Sequence, residues 1–258
     1  MRSAATWIGF TGLALLLTSC SGSKPARLDA QVHSRLNKQY PSAFCKPSRG
    51  LAGIGFSPLG AFTSDAAYAQ AAQMACTHLA WSTYVRVRGS QLSGESFGAI
   101  GQKVDMIDLP TISPEQCRLD SFEVDDHGWI LAASGGGADW GGVRSFPKKR
   151  PGWIRKTPDE QGWHYGRGQM EASYVNEAGS WETATYRALV DLAFSFGRIG
   201  TRRTEANGIV SEAQMLETDV GLRGLRVLKR WRDKKHVYVL VGVQASGLTS
   251  FLGKGAVH

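Results

Sequence analysis

The chain has 258 residues, of which 42% are hydrophobic and 10% aromatic, and its formal net charge is +8. This composition excludes an intrinsically disordered chain, because the hydrophobic fraction is large enough to build a buried core. The length allows one large domain or two of about 100 residues each. The positive charge favours a polyanionic partner, but the export signal at the start of the chain makes nucleic acid a poor candidate for that partner.

The first nineteen residues have the pattern of an export signal. A basic start at Arg2 precedes an uncharged run from Ala5 to Leu17. This run is shorter than the roughly 20 apolar residues that a membrane-spanning helix needs, and it fits the core of a secretory signal. It ends in the tetrapeptide LTSC, which resembles the bacterial lipobox, with Cys20 as the residue that receives the lipid. The alternative is an ordinary secretory signal that happens to contain a cysteine.

The resemblance to a lipobox implies a lipoprotein signal peptide at residues 1–19 and a mature chain that begins at Cys20. Ser21 occupies the position where an Asp would retain a lipoprotein at the inner membrane. In a two-membrane bacterium, this implies the periplasmic face of the outer membrane. Residues 20–45 are predicted to form a lipidated tether, and no later hydrophobic stretch approaches membrane length, so we expect attachment through lipid alone.

Two stretches of the chain, displaced by about 110 residues, show the same order of features. Each contains a G-x-G pair in a strand-like run, beginning at Gly53 and again at Gly166. Each later contains a turn that enters a strand rich in β-branched and aromatic residues, with His127 matching His236. A repeat of this length predicts duplicated domains, because solenoid repeats have periods of about 20–50 residues.

An Ala-rich helix follows each G-x-G pair, and we predict these helices over residues 65–84 and 181–199. Ser64 and Ser180 are the expected N-caps. The helices share a spacing of small residues: Ala67 and Ala71 in the first, Ala184 and Ala188 in the second. Small residues at this spacing let a helix lie close against a sheet.

The two helices differ in how much of their surface is apolar. In the first, His78 falls on the apolar arc, where we expect a hydrogen-bonded core histidine. The second helix is apolar nearly all round, apart from a narrow strip in which Arg187 and Asp191 are spaced to pair with each other. We therefore expect Val190 and Phe194 to pack against the first repeat or against another protein.

The G-x-G strand, the Ala-spaced helix and the later hairpin resemble the twenty-kilodalton outer-membrane lipoprotein family. More distantly, they resemble the N-terminal domain of flagellar assembly protein T. The resemblance implies an α+β fold in which each repeat has a strand, a long helix and a curved antiparallel sheet, and it implies no catalytic residues. The predicted divisions are domains at 46–138 and 153–247, a linker at 139–152 and a flexible tail at 248–258.

Motifs for chemistry are weak. The G-x-G pairs do not match the dinucleotide-binding fingerprint, because Pro58 and Glu171 stand where its third glycine is required. We predict instead that these glycines allow a helix or neighbouring strand to approach closely. Ser134 lies in a loosened form of the nucleophile elbow, so a helix directly after it would favour an envelope hydrolase, whereas a loop would not. No cofactor, metal site or small-molecule substrate is predicted.

Two groups of residues remain as candidates. Cys45, Cys76 and Cys117 remain after Cys20 is lipidated, and two of the three can pair in an oxidising periplasm, although the spacing does not say which. A candidate anion-binding patch, with an ordinary solvated face as its alternative, consists of Lys229, Arg230, Arg232, Lys234 and Lys235.

The sequence therefore predicts an outer-membrane-anchored periplasmic lipoprotein that acts as a non-catalytic structural or interaction module. Its expected partners are the membrane, through the lipid, and envelope proteins. The alternatives are an accessory component of the flagellum or of another envelope machine and, from a different class, an envelope hydrolase that uses Ser134.

Overall fold

A computed structural model of the chain describes residues 40–45, 53–58, 64–94, 98–110, 112, 120–124, 129–134, 143–144, 146–173, 176–206 and 209–252. The fold is α+β, as predicted, and its strand pairs are antiparallel. The helices are α1 (Ser42–Cys45), α2 (Ser64–Thr83) and α3 (Glu177–Phe194). The strands are β1 (Tyr40–Pro41), β2 (Gly53–Pro58), β3 (Val85–Gly94), β4 (Gly98–Ile107), β5 (Asp120–Val124), β6 (Trp129–Ser134), β7 (Val143–Arg144), β8 (Trp163–Glu171), β9 (Arg198–Ala206), β10 (Ile209–Leu222), β11 (Arg226–Arg232), β12 (His236–Gln244) and β13 (Leu248–Ser250).

Two three-stranded sheets have the same strand order and each carries one long helix. Strands β2, β6 and β5 form the first sheet, in that order, and α2 packs on it; these elements and the β3–β4 hairpin are called the first half. Strands β8, β12 and β11 form the second sheet, and α3 packs on it; these elements and the β9–β10 hairpin are called the second half. In both sheets, the G-x-G strand lies at one edge and pairs with the last strand of its half.

The G-x-G glycines allow each helix to approach its sheet, as predicted. A Cβ atom on Gly53 would overlap the carbonyl oxygen of Ala75, and one on Gly166 would overlap the carbonyl oxygen of Ala188. Gly166 follows Gly53 by 113 residues, and Ala188 follows Ala75 by the same number. The second glycine of each pair makes the equivalent contact: Gly55 with Ala71, and Gly168 with Ala184. The matching alanines are thus Ala71 and Ala75, one turn later than the predicted Ala67 and Ala71.

The register of the sheets also corrects the predicted match between His127 and His236. In the first sheet Pro58 pairs with Trp129, and in the second Glu171 pairs with His236. Glu171 follows Pro58 by 113 residues, so the counterpart of His236 is Trp129. His127 itself lies outside the described residues.

The second long helix begins four residues before the predicted start. Asn176, not Ser180, is its N-cap, and the Asn176 side chain accepts a hydrogen bond from the Gly179 backbone N–H at 2.9 Å. The helix ends at Phe194, and Ile199, its predicted last residue, lies on β9. The apolar residues that follow Phe194 keep helical spacing in the sequence, but in the structure they lie in the turn before β9 and at the start of that strand.

The two halves join through one central sheet. Strand β3 of the first half pairs with β10 of the second over nine positions, from Val85 opposite Leu222 to Ser93 opposite Gln214. Val85 and Leu222 are fully buried. The sheet continues with β4 beside β3, while β9 and β13 lie along the other side of β10. Residues more than 100 positions apart therefore form a single core.

The helix of the second half also contacts the first half. A Cβ atom on Gly89 of β3 would lie 3.0 Å from Cζ of Phe194, so this ring packs directly on β3. The expectation that Phe194 packs against the first repeat is confirmed. Val190 is buried, with 6% of its surface exposed.

The described residues of the segments predicted as tether, linker and tail pack against the rest of the chain. Tyr40 and Phe44, in the predicted tether, are each 2% exposed, and the Phe44 ring lies 5.1 Å from that of Trp181 on α3. Phe146, in the predicted linker, lies 4.8 Å from Tyr40, and the predicted tail begins with β13, which pairs with β10. Aromatic and β-branched residues inside these polar segments explain why they pack.

Candidate functional site

The predicted basic patch lies around the hairpin that joins β11 to β12. Asp233 organises its turn, because one carboxylate oxygen accepts the backbone N–H groups of Lys235 and His236, both at 2.8 Å. Burial opposes ionisation of this carboxyl, but the two N–H groups lower the pKa of Asp233 below its usual value. The other oxygen accepts the hydroxyl of Tyr238 at 3.2 Å. The turn is thus held in one shape by an ionised side chain.

The structure separates the five predicted residues into two groups. Lys229, Lys234 and Lys235 are exposed, whereas Arg230 and Arg232 are each only 7% exposed. The two arginines lie opposite Val239 and Val237, whose side chains form part of the core, so they share the covered face of the sheet. They cannot contribute to a solvent-facing patch, and this part of the prediction is wrong.

Arg232 forms a buried ion pair with Glu177, in the first turn of α3. Its Nη1 atom donates to Glu177 Oε1 at 2.5 Å and to the hydroxyl oxygen of Tyr40 at 2.9 Å. Tyr40 also donates to Glu177 Oε1 at 2.6 Å. Burial and the neighbouring carboxylate raise the pKa of Tyr40 well above its usual value. This network joins the N-terminal segment, α3 and β11, and its role is to hold them together.

Arg230 is buried against the same N-terminal segment. Its guanidinium lies 4.5 Å from the centre of the Phe44 ring and donates to the Phe44 carbonyl oxygen at 3.2 Å. Burial lowers the pKa of Arg230 to about 10, partly offset by Coulombic attraction to nearby Cys45. Cation–π contact and a carbonyl acceptor thus replace solvent around this charge.

A second run of basic residues, which the sequence suggested only as a linker, lies on the same sheet. Trp231 and Tyr238 are cross-strand partners. Trp231 Nε1 donates to the carbonyl oxygen of Pro147 at 2.8 Å, and the Arg150 guanidinium lies 5.2 Å from the Tyr238 ring. These contacts hold the segment 147–150 next to the hairpin. In the sequence, the sign of this contact was the pair of aromatic residues on β11 and β12. Large aromatic side chains on adjacent strands are usually covered by another segment of the chain.

The resulting basic surface has six exposed residues from two parts of the chain: Lys148, Lys149, Arg150, Lys229, Lys234 and Lys235. Clustered lysines attract polyanions through their summed field and require no specific ligand geometry. Such attraction weakens as ionic strength rises, since salt screens exposed charges beyond about 10 Å. The chemistry available to this surface is therefore binding of an anionic surface or chain.

The remaining predicted sites are a serine and the cysteines. Ser134 is the last residue of β6 and pairs with Gly53, but the residues after it lie outside the described part, so the hydrolase alternative stays a prediction.

Cys20 and Cys117 also lie outside the described residues. Cys76 is in a disulfide and Cys45 keeps a half-buried thiol. Within the described residues, no group of His, Cys, Asp and Glu side chains is arranged to hold a metal ion.

No family model, curated protein or solved structure matches this chain. Of the helices in the described ranges, none has the length and apolar character that crossing a bilayer demands.

Proposed function

We propose that the chain is an outer-membrane-anchored periplasmic lipoprotein that acts as a non-catalytic structural and interaction module of the cell envelope. The observation that carries this proposal is the LTSC run that ends in Cys20. The first described residue supports it: twenty residues after Cys20, Tyr40 is buried in the core and bonds to Glu177. A lipid on Cys20 would thus be joined by a short segment to a folded body.

The body itself is proposed to be a duplicated unit. The displacement of 113 residues that the G-x-G glycines share with the helix alanines they contact supports duplication, as does the shared order of the two three-stranded sheets. This arrangement is the one expected from the resemblance to the twenty-kilodalton outer-membrane lipoproteins.

The anchor is tested by replacing Cys20. Three acyl chains hold a protein stably at a membrane, whereas one chain binds only marginally. Cys20→Ala is therefore expected to abolish incorporation of labelled palmitate and to give either a released protein or an uncleaved precursor. Ser19→Ala is the matched control, since Ala is also small and should leave processing intact. Normal labelling and membrane retention of Cys20→Ala would refute the proposal.

The basic surface is tested with vesicles, using Cys20→Ala protein without residues 1–19 so that neither a lipid nor the apolar signal segment contributes. Each Lys near an anionic membrane contributes about 1 kcal/mol, and Glu in its place is repelled, so Lys235→Glu should weaken binding to phosphatidylglycerol vesicles by at least about fivefold. Lys103→Glu is the control, because Lys103 is an exposed lysine on β4 of the central sheet. Equal effects of the two substitutions, or no effect at low salt, would leave the lysines as an ordinary solvated face.

A further inference from the structure

Strand β9 forms an open edge of the central sheet. It pairs with β10 over nine positions, from Arg198 opposite Glu217 to Ala206 opposite Ile209. No described strand pairs with its other side. Residues 198–201 are all exposed, and Ile199, with 76% of its surface accessible, is the most exposed large hydrophobic residue of the described chain. An open edge presents unpaired N–H and C=O groups that a further strand can bond.

The G-x-G strands, by contrast, are blocked at their outer edges by side chains of the helices. Asp191 of α3 accepts the backbone N–H of Arg167 on β8 at 2.8 Å, and Arg187 donates to the Gln169 carbonyl oxygen at 2.8 Å. These two residues were expected to pair with each other, but each bonds the main chain of β8. In the first half, His78 Nδ1 lies 3.1 Å from the carbonyl oxygen of Ile54 on β2.

Strand β4, at the opposite edge of the central sheet, also has features that discourage strand addition. Its pairing with β3 shifts register between Gln91 and Leu92. It ends at Ile107; the next residue, Asp108, has a positive φ of 55°, and Pro110 lies two positions further on. A bulge, a left-handed residue and a proline each interrupt the regular edge that another strand would need.

The charges of β9 indicate the kind of strand that would fit. It carries Arg198, Arg202 and Arg203 against one carboxylate, Glu205. On its inner side, β10 already places acidic residues opposite two of these arginines: Glu217 opposite Arg198 and Glu212 opposite Arg203. A strand on the outer side would be stabilised by carboxylates in the same way, since opposite charges across strands attract.

Other strands would pair less well with the outer edge of β9. A second copy of β9 would bring arginines close to arginines, and like charges on adjacent strands destabilise pairing. The segment 21–39 of this chain carries four basic residues and one acidic residue, so it too would be repelled. We infer that the outer edge of β9 binds an extended acidic segment of a partner protein, which adds as a strand and places carboxylates beside the arginines. This inference rests on the proposed role as an interaction module but not on the lipid anchor.

The test uses the full chain and a fluorescent nine-residue peptide that alternates Val and Glu, with anisotropy as the readout. The peptide should bind, and the same peptide N-methylated at alternate residues should bind at least tenfold more weakly, because it cannot complete the main-chain hydrogen bonds. A peptide that alternates Val and Lys should also bind more weakly. Equal binding of the methylated peptide, or no binding of the acidic one, would overturn the inference.

Substitutions in the protein locate the site. Arg198→Glu should weaken binding of the acidic peptide about fivefold, in line with the energies of cross-strand charge pairs, because positions 198 and 202 share one face of the strand and the glutamates of an alternating peptide also lie on one face. Lys103→Glu, the same change of charge on the β4 edge, should not. Equal losses would indicate non-specific attraction and overturn the assignment to β9. Failure here would leave the palmitate and vesicle experiments unaffected, because those depend on Cys20 and Lys235.

Discussion

Buried polar side chains lie where α2, α3 and the N-terminal segment meet the sheets. Glu177 Oε1 accepts three donors, from Tyr40, Trp181 and Arg232. Removing one partner of such a buried pair typically costs about 3–5 kcal/mol, because the other charge is left without compensation. His78 is the core histidine that the apolar arc of the first helix predicted, and it is 6% exposed.

The pKa of His78 gives a pH dependence of stability. Burial, with a smaller contribution from nearby Arg230, lowers this pKa from 6.5 to about 3. Below about pH 6.5 this histidine is therefore protonated in the unfolded state, whereas in the folded state it stays neutral down to about pH 3. We expect the free energy of unfolding to fall by about 3 kcal/mol from pH 7 to pH 4. Urea denaturation across this range measures it.

The control for this effect is His78→Gln, which removes the titrating group. The variant should lose the part of the pH dependence that comes from His78, even if it is less stable at every pH. If wild type and variant lost stability in parallel between pH 7 and pH 4, the histidine would not be the cause.

At the scale of elements, the close approach of each helix to its G-x-G strand is a strict packing constraint. A methyl group at Gly53 or Gly166 would meet the main chain of α2 or α3, which cannot move aside as a flexible side chain can. The α2 contact and the α3 contact are equivalent, so the two halves should respond alike to the same substitution.

We expect Gly53→Ala and Gly166→Ala each to lower the free energy of unfolding by about 2–3 kcal/mol, the usual cost of overpacking a core. Gly200→Ala on β9 is the control, since its nearest contact would be the Met215 carbonyl oxygen at 3.9 Å. That change should stay within about 0.5 kcal/mol of the wild type. Urea denaturation compares the three, and a tolerated Gly166→Ala would contradict the equivalence of the two contacts.

At the scale of the whole molecule, the shared central sheet makes the two halves depend on each other. Separation of β3 from β10 would expose Val85 and Leu222 and leave two further sheet edges open. The contact of Phe194 with Gly89 adds a second connection. Two tethered domains would lack both features.

The expected consequence is one cooperative unfolding transition, even for a variant weakened in only one half. In Gly53→Ala, far-UV circular dichroism and tryptophan fluorescence should give the same urea midpoint. Amide protons of Val87 and Val220 should exchange with equal free energies, because they lie opposite each other in the joint sheet. Two separate transitions, with only the first half shifted, would show that the halves unfold independently.

Several features could be predicted from the sequence because short-range patterns encode them. The G-x-G pairs and the alanine spacing indicated where helix meets strand, since only small residues permit that distance. The register of the repeat was less certain: a helix pattern recurs at every turn, so Ala67 and Ala71 fitted as well as Ala71 and Ala75. The end of α3 was missed for a similar reason, because Ile199 continues the apolar spacing beyond the last helical residue.

By itself, the sequence determined the fold class, the close approach of helix to strand, and the burial of His78, because each depends on residues a few positions apart. Only the tertiary structure decided which basic residues face solvent. Arg230 and Arg232 are buried because residues 40–45 cover them, and Lys148 joins the basic surface because Trp231 bonds to the Pro147 carbonyl. These outcomes depend on contacts between segments more than 80 positions apart, and no local periodicity records which distant segment will cover a given face.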